Sequence, residues 1–188
     1  LGADELLPET SDGISVGFVG NIGELDFTVD YYSIDVDSLF AAISTRTVST
    51  DPTNASAYAN FLALDAAGVA GANTIGGVNY FQNGYDVNSS GVDAVVTYPM
   101  DTDLGMSILS LTYGYNEREF ESDPSAYLNA EGIYDAENFD PNTRAIVSLL
   151  HTWDDFAFLI RTSYWGESSN YQSGNTQDWD AKSMTDLQ

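Results

Sequence analysis

The sequence predicts an all-β fold of about six antiparallel strands, and three observations carry that prediction. The stretch "LDFTVDYYSIDVD", Leu25 to Asp37, alternates apolar and polar residues with a period of two. Strand-like runs are joined by alternately short and long connections. Aromatic clusters follow each short turn at a shared spacing: Tyr31 and Tyr32, then Tyr113 and Tyr115, then Tyr164 and Trp165.

Taken in order, "GISVGFV" places Ile14, Val16 and Phe18 on one face and pairs through "GNIGE" with the strand opening at Leu25, a hairpin. From Phe40 to Gly76 the composition shifts to Ala, Ser, Thr, Gly and Asn. Within it "ASAYANFLALDAAG" sets Tyr58, Phe61 and Leu62 at helical spacing, which predicts a long loop with a short helix. The run "VNYFQNGYDVNSSGVDAVVTY" invites a split at Asn88 to Gly91, but strand directions stay consistent only if Val78 to Tyr98 is one strand, with Gly91 a bulge or kink. "PMDTDLG" reads as a turn before "MSILSLTYGYN", and a second, acidic loop covers Glu117 to Asn142. "RAIVSLLHTW", the turn Asp154-Asp155 and "FAFLIRTSYWG" complete a last hairpin before a polar tail.

The face holding Leu25, Phe27, Val29, Val92, Ala94, Val96, Leu109, Leu111, Val147, Leu149, Phe158 and Ile160 is free of charge. The opposite face carries Asp26, Thr28, Asp30, Asp93, Thr97, Ser148 and Arg161, residues suited to a wet lumen. Strands of about 9–11 residues cross a bilayer when tilted, so Tyr31, Tyr113 and Tyr164 would form one aromatic girdle and Tyr98 and Trp153 the other. A soluble sandwich or jelly roll also alternates and fills its core with aromatics. On pattern alone both remain open, although two aromatic levels and asymmetric loop lengths are explained directly only by a membrane barrel.

Composition removes other classes. Five Lys and Arg against 29 Asp and Glu give a net charge of -24, which opposes binding to nucleic acid or to an anionic membrane leaflet. Without cysteine there is neither a disulfide framework nor a thiolate metal site. No nucleophile elbow, phosphate loop or histidine-based metal spacing occurs, so no catalytic residue, cofactor or metal is assigned and an enzyme is not expected. A glycosidase remains a third class only because so many carboxylates are present. His151, beside Trp153 on the apolar parity, reads as interfacial. Asp123, Glu131, Asp135, Glu137 and Asp140 miss the EF-hand spacing and read as a solvated acidic loop.

The segments "LLPETSDGISVGFVG", "LDFTVDYYSIDVDS", "NYFQNGYDVNSSGVDAVVTY", "NTRAIVSLLHTW" and "FAFLIRTSYWGE", in this order and spacing, resemble the C-terminal half of the barrel of TonB-dependent outer-membrane receptors. The resemblance covers nearly all of residues 1–188 and lapses only in the two long loops. It implies a 22-stranded transmembrane β-barrel with long extracellular loops, a plug inside it, and TonB-energised uptake of a scarce nutrient such as a siderophore, cobalamin or oligosaccharide. Partners would be outer-membrane lipid, the TonB complex through the plug, and the nutrient. Tyr127, Tyr134 and Phe139 would then be candidates to stack on ligand, and lumen-facing Asp30, Asp93 and Arg161 to line the path or hold the plug. No signal peptide, TonB box, plug or closing strand is found, and "AKSMTDLQ" resembles the run-in to a further strand, so a barrel fragment is expected. The rival is a secreted soluble glycan-binding sandwich.

Overall fold

Three two-residue turns set the frame of the sheet. The computed structural model describes residues 5–188, beginning with β1 (Thr10–Ile22), β2 (Leu25–Asp37), β3 (Phe40–Ala42), β4 (Arg46–Thr47), α1 (Ala55–Ala66), β5 (Gly77–Val78) and β6 (Phe81–Asn83). It continues through β7 (Val87–Thr102), β8 (Gly105–Phe120), α2 (Ala130–Asn138), β9 (Thr143–Trp153), β10 (Phe156–Trp165), β11 (Ser168–Gln172), β12 (Asn175–Trp179) and β13 (Lys182–Leu187). Ile22 pairs with Leu25, Thr102 with Gly105 and Trp153 with Phe156, so β1–β2, β7–β8 and β9–β10 are tight hairpins. Gly23 sits at φ 64° and Asp154 at φ 49°, the left-handed region that glycine reaches freely and aspartate tolerates.

One seven-stranded sheet results, in the order β1-β2-β7-β8-β9-β10-β13, with every neighbour antiparallel. Short turns lie at one end. The connections β2–β7, β8–β9 and β10–β13 all leave from the other. The expected six strands gain a seventh, β13, from the stretch that reads as a polar tail; the rest of that stretch is a third excursion, the β11–β12 hairpin.

Two strand boundaries differ from the sequence reading. Val78 to Tyr98 is not one strand: β5 and β6 pair with β4 and β3 inside the first excursion, and the sheet strand begins only at Val87. At the other end β7 runs through Pro99 to Thr102. Pairing with β2 stops at Thr97, so the absent N–H of Pro99 costs no bond on that side. The split at Asn88 to Gly91 is absent, and so is a bulge at Gly91, because Tyr32, Gly91 and Asn116 stay in unbroken register.

Apart from Val87 at the upper end of β7, the buried hydrophobic residues lie outside the sheet. Val48, Leu64 and Ala72 form a small core with Phe61, Ile75 and Val78 against α1, which Asn54 caps by accepting from Ala57 N. By contrast Ile14 is 64% and Phe18 71% exposed, so the sheet is a single layer with large apolar side chains left uncovered. Burying such residues in protein would require a second layer. Among the described residues there is none.

Candidate functional site

Register decides which side chains share a face. Phe18 lies across from Val29, Val29 from Ala94, Ala94 from Tyr113, Tyr113 from Ala145 and Ala145 from Tyr164, all on one face. Phe27, Val96, Leu111 and Val147 follow in the next row, then Tyr98, Leu109, Leu149 and Ile160. From Ile14 through Tyr164 no Asp, Glu, Lys or Arg occupies this face between the turns and the upper tyrosines. Tyr31, Tyr98, Tyr113, Trp153 and Tyr164 are all on it, Trp153 at the short-turn end and Tyr31, Tyr113 and Tyr164 toward the other. His151 is there too, its Nδ1 2.8 Å from Ser107 Oγ.

The opposite face collects charge. One row reads Asp30, Asp93, Gly114, Arg144, Trp165, Lys182, so two acids stand side by side at one end and two cations at the other. Another runs Asp26, Thr97, Ser110, Ser148, Arg161, Asp186, ending in an Arg161–Asp186 ion pair of 3.0 Å. That pair is exposed, and such pairs contribute about 0–1 kcal/mol. Thus Asp30 and Asp93 are direct neighbours while Arg161 belongs to a different row. Above them, Asn116 Nδ2 donates to Tyr32 Oη and Ser89 Oγ, each at 3.0 Å, beside a cavity of about 280 Å3 that also meets Asp93, Asp140 and Arg144.

The three excursions dock on one another through the second. Asn129 N donates to Ser44 Oγ at 3.0 Å, Ser44 N to Tyr127 O at 2.9 Å, and Arg46 to Ala126 O at 3.1 Å, which ties the first to the second. Tyr171 N donates to Asp135 Oδ1 at 2.7 Å and Tyr134 Oη lies 2.8 Å from Ser169 Oγ, tying the second to the third. The helix α2 that carries Tyr134 and Asp135 is capped by Asn129, which accepts from Gly132 N.

This scatters the three aromatic candidates. Tyr127 packs against Tyr85 with centroids 6.3 Å apart, Tyr134 against Tyr171 at 5.9 Å, and Phe139, 53% exposed, meets the edge of Trp179 at 6.1 Å. They do not converge. Tyr127 lines a cavity of about 520 Å3 between the first and second excursions, whereas Phe139 only touches, through Trp179, the wall of another of about 450 Å3 that Glu137, Asp140, Glu167 and Asp178 also border. Trp179 was missed because β11 and β12 are polar; the signal for their hairpin was the dipeptide Ser173-Gly174, with φ 52° and 84°.

Of the five candidate acids Asp123, Glu131, Asp135, Glu137 and Asp140, Asp123 accepts from Ser125 N within its own turn and Asp135 from Tyr171 N across to the third excursion, so both serve structure. No three carboxylates among the described residues group as metal ligands. In the first excursion Asp51 accepts from Thr53 N and Thr53 Oγ1. These backbone hydrogen bonds, from Thr53 and Ser125, hold the carboxyls of Asp51 and Asp123 below their ordinary value of 3.8. A depressed folded value means stabilisation that is complete above the unfolded value and vanishes as pH falls through the folded one. Carboxyl NMR titration should therefore give midpoints below 3.8 for both residues; midpoints at or above it would mean the two turns are open in solution.

Known proteins agree with this geometry. The FrpB iron transporter from Neisseria meningitidis (F3-3 variant) superposes with a TM-score of 0.62 at 12% identity, over 98% of this chain and 23% of the transporter. The chain thus spans about a quarter of that structure's length. At the level of sequence no curated relative matches. The family model "TonB dependent receptor-like, beta-barrel" matches residues 1–188, and with a charge-free face, a polar face and all long connections at one end, the chain belongs to that family of outer-membrane barrels.

Proposed function

We propose that the chain is part of the wall of an outer-membrane receptor that takes up a scarce nutrient, with energy delivered by TonB through a plug domain seated in the barrel. The observation that carries this reading is the two-faced single-layer sheet, apolar on one side and charged on the other, crowned at one end by docked excursions. A hydrocarbon layer takes the first face and a wet interior the second. Asp30, Asp93 and Arg161 line that interior. The excursions point to the extracellular side and meet the nutrient first, as loops held on a rigid scaffold commonly do. Nothing in this arrangement favours the soluble glycan-binding sandwich, which needs a second sheet over Phe18, Val29 and Phe158.

Deleting Ser122 to Asp140 from the intact receptor tests the role of the excursions. No sheet strand is removed, so the barrel should keep its heat-modifiable migration on gels, while nutrient uptake falls because the first and third excursions lose their shared support at Asn129 and Asp135. Uptake that survives the deletion would place recognition elsewhere. A barrel that fails to fold would make the excursion a structural element.

A further inference from the structure

We propose that the cavity between the first and second excursions receives an anionic oxygen group of the ligand, a carboxylate or a phosphate, on Arg46. This rests on the reading that the excursions meet the nutrient, and it names the charge they select. The cavity measures about 520 Å3 and is walled by Ser44, Arg46, Asn60, Ser125 and Asn129, among others. In a chain with 29 acidic residues, not one Asp or Glu lines it. Arg46 is also the only Lys or Arg in the three connections between sheet strands.

The guanidinium is partly spent and not neutralised. One of its five N–H groups goes to Ala126 O at 3.1 Å, and no carboxylate lies within 4.0 Å among the described residues. Both walls are held in place by their own hydrogen bonds. Ser44 Oγ donates to Asn129 Oδ1 at 3.2 Å and Asn60 Nδ2 donates to Thr47 O at 2.9 Å. A planar fork of N–H donors matches a carboxylate or phosphate in two-point contact, which an ammonium does not. The cavity between the second and third excursions is the electrostatic opposite: Glu137, Asp140, Glu167, Asp178 and Asp180 border it without any Lys or Arg. Like-charge repulsion there directs an anion toward Arg46.

The test uses the full-length receptor in detergent, titrated with citrate, inorganic phosphate and neutral maltotetraose by tryptophan fluorescence. Wild type should bind citrate or phosphate more weakly as salt rises, and Arg46→Gln should lose about tenfold or more of that affinity, as expected for a charge-assisted contact. Arg46→Lys should fall between, and any response to maltotetraose should be unchanged. Citrate alone would mark a carboxylate ligand, phosphate alone a phosphate ester. Ser125→Asp, which leaves the Ala126 carbonyl in place, gives a second test independent of the Arg46 contact: a carboxylate in the wall should weaken the anion by a similar factor. Failure of wild type to bind either anion, or full anion affinity in Arg46→Gln or Ser125→Asp, overturns the proposal. The uptake reading is scored separately, by nutrient uptake in the Ser122 to Asp140 deletion, and survives if only the anion arms fail.

Discussion

Val29→Arg and Phe158→Arg in the full-length receptor are expected to leave little folded protein in the outer membrane, while Asp30→Arg assembles nearly as wild type. Val29 sits between Phe18 and Ala94 on the charge-free face, and Phe158 lies across from His151 on the same face. They are 37% and 48% exposed, and in the proposed barrel wall that exposure is to hydrocarbon. Arginine on a barrel's lipid face costs up to about 2–4 kcal/mol at the midplane and less toward the interfaces, so Phe158→Arg, nearer the short turns, should be the milder of the two against the roughly 5–15 kcal/mol that separates folded from unfolded protein. Asp30 points the other way, with Gly17 and Asp93 as cross-strand neighbours. An arginine there replaces a like-charge pair with an opposite one. The fraction of receptor migrating as the compact, unheated species on gels measures all three. Equal tolerance would show that the apolar face does not meet lipid.

The second large effect is expected at Gly91, where valine should lower the temperature at which the folded species is lost, by a destabilisation of about 1–3 kcal/mol. A Cβ there would overlap the carbonyl oxygen of Tyr115 on β8 and come within 2.7 Å of the Tyr32 ring from β2. Backbone cannot step aside as a flexible side chain can. Gly114→Ala is the control, because its Cβ would meet only Asp93 Oδ1, at 3.1 Å, a side chain able to turn. Adding Tyr32→Ala should rescue Gly91→Val only in part; complete rescue would put the whole conflict in the ring and none in the ladder.

Much of the sheet was legible because its cues are local. The two-residue turns and period-two runs give the hairpin partners, and parity then gives the faces, so Leu25, Val96, Leu111 and Ile160 fall together without knowledge of the tertiary structure. Val78 to Asn83 misled because its alternation is real but its partners are Phe40 to Ala42 and Arg46-Thr47, a choice set by closure of the excursion. Pro99 misled for a related reason: whether a proline interrupts a strand depends on which neighbour is still beside it. The candidate site was least legible. Arg46 looks like any solvated arginine until the excursions dock and exclude every carboxylate from its cavity.

The three tight hairpins have a kinetic consequence. β1–β2, β7–β8 and β9–β10 can each form from contacts only a few residues apart in sequence, on the microsecond scale of isolated hairpins. Joining one hairpin to the next requires residues 38–86, 121–142 and 166–181 to close as loops. Each doubling of loop length adds only about 0.6 kcal/mol to that closure, so excursions of very different size are thermodynamically comparable. The wall should accordingly assemble by zippering preformed hairpin units, with the slow steps at β2–β7, β8–β9 and β10–β13. Lengthening an excursion then delays assembly at its own seam and leaves the intrinsic hairpin rates untouched.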